Sequence, residues 1–172
     1  VEQGWKNVNI RDMMEDAVQI KTYLDRQGNM DAIGEYLYGR NKGIKDFVLV
    51  ELEKEGIGMA MIMNNELQRG SNYMIGEFGH IKLLHDGPEC SCGKKGCLEA
   101  IIKDLLKKHS GEWTKEAIYY IGWGISIIVN MLDPKVIVLS GHLVKNMPET
   151  TIQSIKEVVK EHSIGIENKE II

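Results

Sequence analysis

All three cysteines of this chain fall within eight residues, Cys90-Ser91-Cys92-Gly93-Lys94-Lys95-Gly96-Cys97, and that crowding constrains what its middle can fold into. An odd number of thiols this close cannot build a disulfide framework, but the spacing suits three sulfurs wrapped around one ion. His80 and His85 lie just upstream, and either completes a Cys3His set, the donor combination of closed tetrahedral zinc. Thiolates are soft donors, so Zn2+ is expected rather than magnesium or calcium. Four protein ligands leave no position for a water, so the ion is expected to hold the loop rather than catalyse. The residues favour His80 over His85, because Gly79-His80 reads as a tight turn leading into a strand and His85 as a solvated loop residue. The competing reading is three reduced, half-buried cysteines beside two unrelated histidines.

Around this loop the chain reads as one soluble α/β domain. Its 172 residues suffice for a single core, and a 43% hydrophobic, 27% charged composition is ordinary for a globular protein. The net charge of −4 supplies no field for nucleic acid. No apolar run approaches the ~20 residues needed to span a bilayer, so no membrane association and a cytoplasmic location are expected. Asn9 is placed to cap a helix over Arg11 to Gln19, whose Met13, Met14, Ala17 and Val18 form one stripe expected to be buried. Ile20 to Leu24 reads as a strand, and Met30 to Tyr38 as a second helix. After a turn at Asn41-Lys42-Gly43, the apolar runs Phe47 to Leu52 and Ile57 to Met63 read as strands. Asn64-Asn65 supplies positive-φ turn chemistry, giving a three-stranded meander. Leu98 to His109 is helical in pattern, and Thr114 caps a longer helix that Asp133-Pro134 ends at Leu132. That helix is apolar on nearly every side and is expected at the centre, against the sheet. A buried strand at Val136 to Leu139 and an amphipathic helix from Pro148 to His162 complete an α/β order with a mixed sheet.

Several stretches together resemble one family. Gly76-Glu77-Phe78-Gly79-His80, Gly87 and Cys90-Ser91-Cys92-Gly93-Lys94-Lys95-Gly96-Cys97-Leu98-Glu99-Ala100 are similar to the signature of the ROK family of sugar kinases and sugar-responsive transcriptional repressors. Further similarity runs through Gly4-Trp5, Gly34-Glu35-Tyr36, Leu67-Gln68-Arg69-Gly70 and Asp133-Pro134-Lys135-Val136-Ile137-Val138-Leu139-Ser140-Gly141. The resemblance selects His80 over His85, since the family's zinc histidine ends the Gly-Glu-x-Gly-His motif. It implies an actin-like, ribonuclease-H-like fold of two lobes around a cleft, with this chain as the C-terminal lobe and commonly a homodimer. The family's Asp-x-Gly-Gly-Thr motif, the repressors' helix-turn-helix and the closing Gly-Ala-Ala helix are not among these residues. One lobe of a longer protein is therefore expected, with any DNA contact made by another segment.

The resemblance also bears on activity. Phosphorylating a sugar hydroxyl requires a carboxylate to take its proton, and backbone glycines to cradle the nucleotide. The family's base is the aspartate of an Asn-Asp-x-Asn segment, and the ungapped register from Glu35 places Arg26-Gln27-Gly28-Asn29 there. Gln27 cannot accept a proton at neutral pH; a shift of register would put Asp25 or Asp31 in the role, but Asn29 and Gly34-Glu35 fit the family without a gap. Where kinases carry Gly-Thr-Gly-Ile-Gly, this chain has Glu53-Lys54-Glu55-Gly56-Ile57-Gly58, whose carboxylates repel phosphate, and the late paired glycines become Gly141-His142. Glu77, His80, Glu99 and Asn29 match the family's sugar-contacting positions. The resulting expectation is the sugar-sensing lobe of a ROK-type repressor with no catalytic residue of its own. The alternatives are the large lobe of a glucokinase-like sugar kinase and a purely structural dimerisation module.

Overall fold

The computed structural model describes residues 6–40 and 42–172. Gly4-Trp5, part of the family resemblance, and Asn41 of the expected turn lie outside the described residues. The chain begins with α1, Ile10–Val18, started by Asn9, whose side chain accepts from the Asp12 backbone N–H, and ended by Gln19 in the left-handed region. The expected burial of its apolar stripe is not observed: Met13, Met14 and Val18 are exposed, and the helix buries no residue. Ile20 to Leu24 is also not a strand. This segment has no ladder partner, and Ile20, Tyr23 and Leu24 face solvent. An apolar run is a local signal, but a strand requires a neighbouring edge.

The helix α2, Gln27–Tyr38, starts three residues before the expected Met30. It precedes the strands β1, Phe47–Leu52, and β2, Ile57–Met63, whose bounds match the apolar runs, and the short β3, Glu66–Leu67. Asn64 and Asn65 both adopt positive φ, at 54° and 65°, as the hairpin between β2 and β3 requires. Next come α3, Leu98–Lys108, and α4, Lys115–Leu132, the latter capped by Thr114 and stopped by Asp133 in the left-handed region before Pro134. The chain closes with β4, Val136–Ser140, the short α5, His142–Lys145, α6, Glu149–His162, and β5, Glu170–Ile171.

The strands form one mixed sheet in the order β3-β2-β1-β4-β5. β1 pairs antiparallel with β2, and β4 is parallel to both β1 and β5. Period-two alternation along β1 divides its side chains between two layers. Val48, Val50 and Leu52 join a core with Ile121, Ile125 and Val129 of α4 and Ile155 and Val159 of α6. Phe47 and Leu49 face the opposite layer with Ala32 of α2 and Val136 and Val138 of β4. Each fully buried isoleucine of the first layer contributes on the order of 2 kcal/mol. α4 occupies the central position expected of it, although Tyr119 and Met131 leave one strip at the surface. Continued one step, the same alternation sends Glu51 to the α2 side of the sheet, beside Gln27. Among the described residues no helix is long and apolar enough to cross a membrane.

Candidate functional site

The cysteine loop joins a single 3-10 turn, Phe78–His80, to the start of α3. Its ends are tied by an antiparallel bridge between Lys82 and Cys97, and its tip by another between Glu89 and Lys95. The Gly96 carbonyl accepts from the N–H groups of Leu83 (2.9 Å) and Leu84 (3.2 Å), and the Gly96 N–H donates to the Pro88 carbonyl (2.9 Å). The Cys90 N–H donates to the Lys94 carbonyl at 2.8 Å. This backbone gathers one ligand atom each from His80, Cys90, Cys92 and Cys97, all within 4.8 Å of one another. Cys90 Sγ lies 3.4 Å from His80 Nδ1, and Cys92 Sγ 3.7 Å from Cys97 Sγ. A tetrahedron with zinc–sulfur bonds of about 2.3 Å has sulfur–sulfur edges of about 3.8 Å, so the second pair already stands at a ligand edge. His85 is excluded from the group: its side chain is 89% exposed and it pairs with Asp86 at 2.9 Å.

The thiols differ in environment. Cys92 is exposed, and the Lys94 backbone N–H holds its pKa below the ordinary value. Cys97 is buried, and burial together with hydrogen bonding to Cys92 pushes it up to about 12. Gathering several thiolates in a half-buried pocket is therefore unfavourable without a counter-charge. A dication reverses that cost and releases the protons. The donor set fits zinc.

A polar network adjoins the cluster. With Nδ1 turned to the sulfurs, His80 presents Nε2 to Glu77 Oε2 at 3.7 Å. Glu77 Oε1 in turn accepts from Arg26 Nη2 at 2.7 Å, and Arg26 Nη1 donates to the carbonyls of Ile75 (2.8 Å) and Tyr73 (3.3 Å). Asp25 Oδ1 accepts from Asn29 Nδ2 at 2.6 Å and from the Arg26 N–H at 2.8 Å, while Oδ2 accepts two N–H groups of Arg69 at 2.9 and 2.7 Å. Burial raises the Asp25 pKa, but these donors outweigh it and hold the carboxyl below its ordinary value.

The four positions expected to touch a sugar are thus brought together unequally. Glu77 and His80 are neighbours, and Asn29 reaches their corner through Asp25, whose backbone neighbour Arg26 holds Glu77. Glu99 borders the same 3-10 turn from α3, yet it is 7% exposed and occupied. Its Oε2 accepts from the Ile57 N–H at 3.1 Å, and Oε1 pairs with Lys103 at 2.7 Å. Gln27, at the base position of the family register, donates to Glu51 Oε1 at 2.9 Å. Burial, then hydrogen bonding and repulsion from Asp31, push Glu51 up to about 7. Beside this pair, at the carboxyl ends of β1 and β4, a cavity of about 710 Å³ is lined by Asp31, Glu35, Glu51 and Glu53, with Arg40 as its cation. A lining this acidic is poorly suited to phosphate.

Sequence reasoning assigned no role to Arg26, Arg69, Lys103 or Glu51. Lys103 stands four residues after Glu99 on a helix, a readable pairing signal. Arg26 and Glu77 are 51 residues apart and carry no such signal.

The sequence profile of the ROK family matches residues 2–105, more than half of the chain. The xylose repressor of Bacillus spizizenii is 26% identical over 180 residues, covering 91% of this chain and 46% of that protein. The glucokinase of Halalkalibacterium halodurans is 26% identical over 197 residues, covering 91% of this chain and 59% of that protein. Among solved structures, the ROK hexokinase from Thermus thermophilus aligns with a TM-score of 0.79 at 26% identity, covering 94% of this chain and 64% of that one. The chain spans about half the length of the curated relatives it matches. Its mixed-sheet α/β architecture is the actin-like fold that the sequence resemblance implies.

Proposed function

Since this chain belongs to the ROK family, we propose that it is the effector-sensing lobe of a sugar-responsive transcriptional repressor, with a structural zinc ion and no phosphotransfer. The lobe acts within a longer cytoplasmic protein, associates as a homodimer and reaches DNA only through a segment beyond these residues. The observation that carries this reading is Gln27, an amide at the position where the family resemblance places the catalytic base, hydrogen-bonded to the Glu51 carboxylate. The cavity at the strand ends supports it, since carboxylates line the space where phosphates would have to be cradled.

His80 Nδ1 and the thiolates of Cys90, Cys92 and Cys97 would hold the zinc. When bound, zinc supplies four bonds that fasten the loop to the 3-10 turn and to α3. His80 then serves two sites, because fixing Nδ1 leaves the Nε2–H directed at Glu77. Glu77, 37% exposed where Glu99 and Asn29 are buried, is the carboxylate best placed to accept from a sugar hydroxyl. A ligand gripping Glu77 more tightly in one arrangement of the lobe would shift the whole protein toward that arrangement, and with it the DNA-binding segment.

A sugar kinase lobe is the second reading, and one observation favours it. Glu51, pushed up to about 7 and held by Gln27, has the proton affinity a general base needs. A coupled ADP-release assay with a panel of hexoses and pentoses separates the two. The repressor reading expects no sugar-dependent ATP consumption by the intact protein together with a sugar-dependent rise in melting temperature. Sugar-dependent turnover that disappears in Gln27→Ala or Glu51→Gln overturns it.

A further inference from the structure

We propose that the effector of this site is an anionic sugar, bearing a carboxylate or a phosphate that is received by Arg26. The inference rests on the sugar-sensing reading above and assigns the chemical class of its ligand. A guanidinium carries five N–H donors and no acceptor. In Arg26 three of them are engaged, two by the carbonyls of Tyr73 and Ile75 and one by Glu77. Among the described residues the Nε–H and the second Nη2–H meet no acceptor, on a side chain 41% exposed. The guanidinium is also held in place: the Asp25 carboxylate fixes the Arg26 backbone N–H, and Arg69 and Asn29 fix Asp25. A preorganised fork with spare charged donors is suited to an oxyanion, which it binds more strongly than a neutral hydroxyl.

The acceptors of the site show the converse. Glu77 already meets Arg26 through one oxygen and faces His80 through the other, so it retains only part of its capacity for hydroxyl donors. Glu99 is consumed by Ile57 and Lys103, and Asp25 by Arg26, Arg69 and Asn29. A neutral sugar presents hydroxyls that each donate as well as accept, and at the Glu77 corner the carboxylates of Glu77, Glu99 and Asp25 are already largely engaged. At this corner the unspent charged donors are the two N–H groups of Arg26. The complementary guest places one hydroxyl on Glu77 and an anionic group on Arg26.

Thermal-shift titrations on the intact, zinc-loaded protein test this with glucose, glucuronate, glucose 6-phosphate and inorganic phosphate. Wild type is expected to be stabilised by glucuronate or glucose 6-phosphate at concentrations about tenfold lower than by glucose, as one charge-assisted hydrogen bond would give. The stronger of the two identifies the anion as carboxylate or phosphate. Arg26→Gln is expected to erase the preference. Arg26→Lys, which keeps the charge and loses the fork, retains part of it and serves as the folded control should the glutamine variant not fold. Equal response to glucose and both anionic sugars overturns the proposal while leaving sugar sensing intact. Inorganic phosphate acting as strongly as the sugars, or a preference unchanged in Arg26→Gln, also overturns it. No response to any sugar overturns both this inference and the reading it rests on.

Discussion

Replacing Gly96 by alanine tests how the cysteine loop shapes the proposed zinc site. Gly96 has φ +75°, and a Cβ there would stand 1.9 Å from the Leu84 carbonyl oxygen and 2.7 Å from its carbon. Backbone atoms cannot rotate aside as a side chain can, so the strand of loop bearing Leu84 must separate from Gly96. The left-handed backbone alone costs an L-residue roughly 1 kcal/mol. Separation also weakens the three hydrogen bonds that Gly96 makes with Leu83, Leu84 and Pro88, at about 1 kcal/mol each. With Cys97 next in the chain, about 3 kcal/mol or more of this is expected to appear as lost metal affinity, around two orders of magnitude. Gly93→Ala is the internal comparison. Its φ is +82°, but a Cβ there meets nothing within 4 Å, so only the backbone cost applies and affinity should fall roughly fivefold. Competition titration against a chromogenic zinc chelator reads both variants. Zinc affinity unchanged in Gly96→Ala, or reduced equally in the two variants, would refute the claim that this close approach shapes the site.

Two further expectations concern carboxylates. Glu51 is raised from its ordinary 4.5 to about 7, first by burial and then by Asp31, so its stabilising contribution is complete below pH 4.5 and is lost as pH rises through 7. Glu51→Gln should flatten the fall in melting temperature that wild type shows across that window, and identical slopes in the two proteins would count against the assignment. Lys103→Met strips the buried Glu99 of its cation while the Ile57 N–H remains. Because Lys103 is itself 41% exposed and screened, a loss on the order of 1 kcal/mol is expected. That loss should largely vanish in a Glu99→Gln background, and a double-mutant cycle showing no such rescue would contradict the pairing.

What the sequence made legible was what short-range chemistry determines. β1, β2 and β4 were bounded by their own apolar runs, Asn64-Asn65 by the positive φ that a tight hairpin demands, and α4 by Thr114 and Asp133-Pro134. That His80, Cys90, Cys92 and Cys97 would come together was readable for the same reason, the three thiols lying within eight residues and only the histidine needing a choice. Ile20 to Leu24 misled because its apolar pattern says nothing about whether an edge is available to pair with. The stripe on α1 misled similarly: amphipathicity identifies a face that favours burial but not whether another element lies against it. β5, two residues long, and α5, four, are too short to show a period. The polar corner proposed to receive a sugar was half legible. Glu77, His80, Glu99 and Asn29 carried motif signals, and the spacing of Lys103 from Glu99 on one helix was readable too, whereas Arg26 came to light only when the fold brought it to Glu77.

Zinc K-edge X-ray absorption on protein purified without added metal is the most direct test, because the proposed sugar site is built outward from His80, one of the four residues proposed to hold the metal. About one zinc per chain is expected, with three sulfur neighbours at about 2.3 Å and one nitrogen at about 2.0 Å, and loss of the metal in Cys97→Ser. A chain free of zinc, or a shell of oxygen and nitrogen alone, would contradict this expectation.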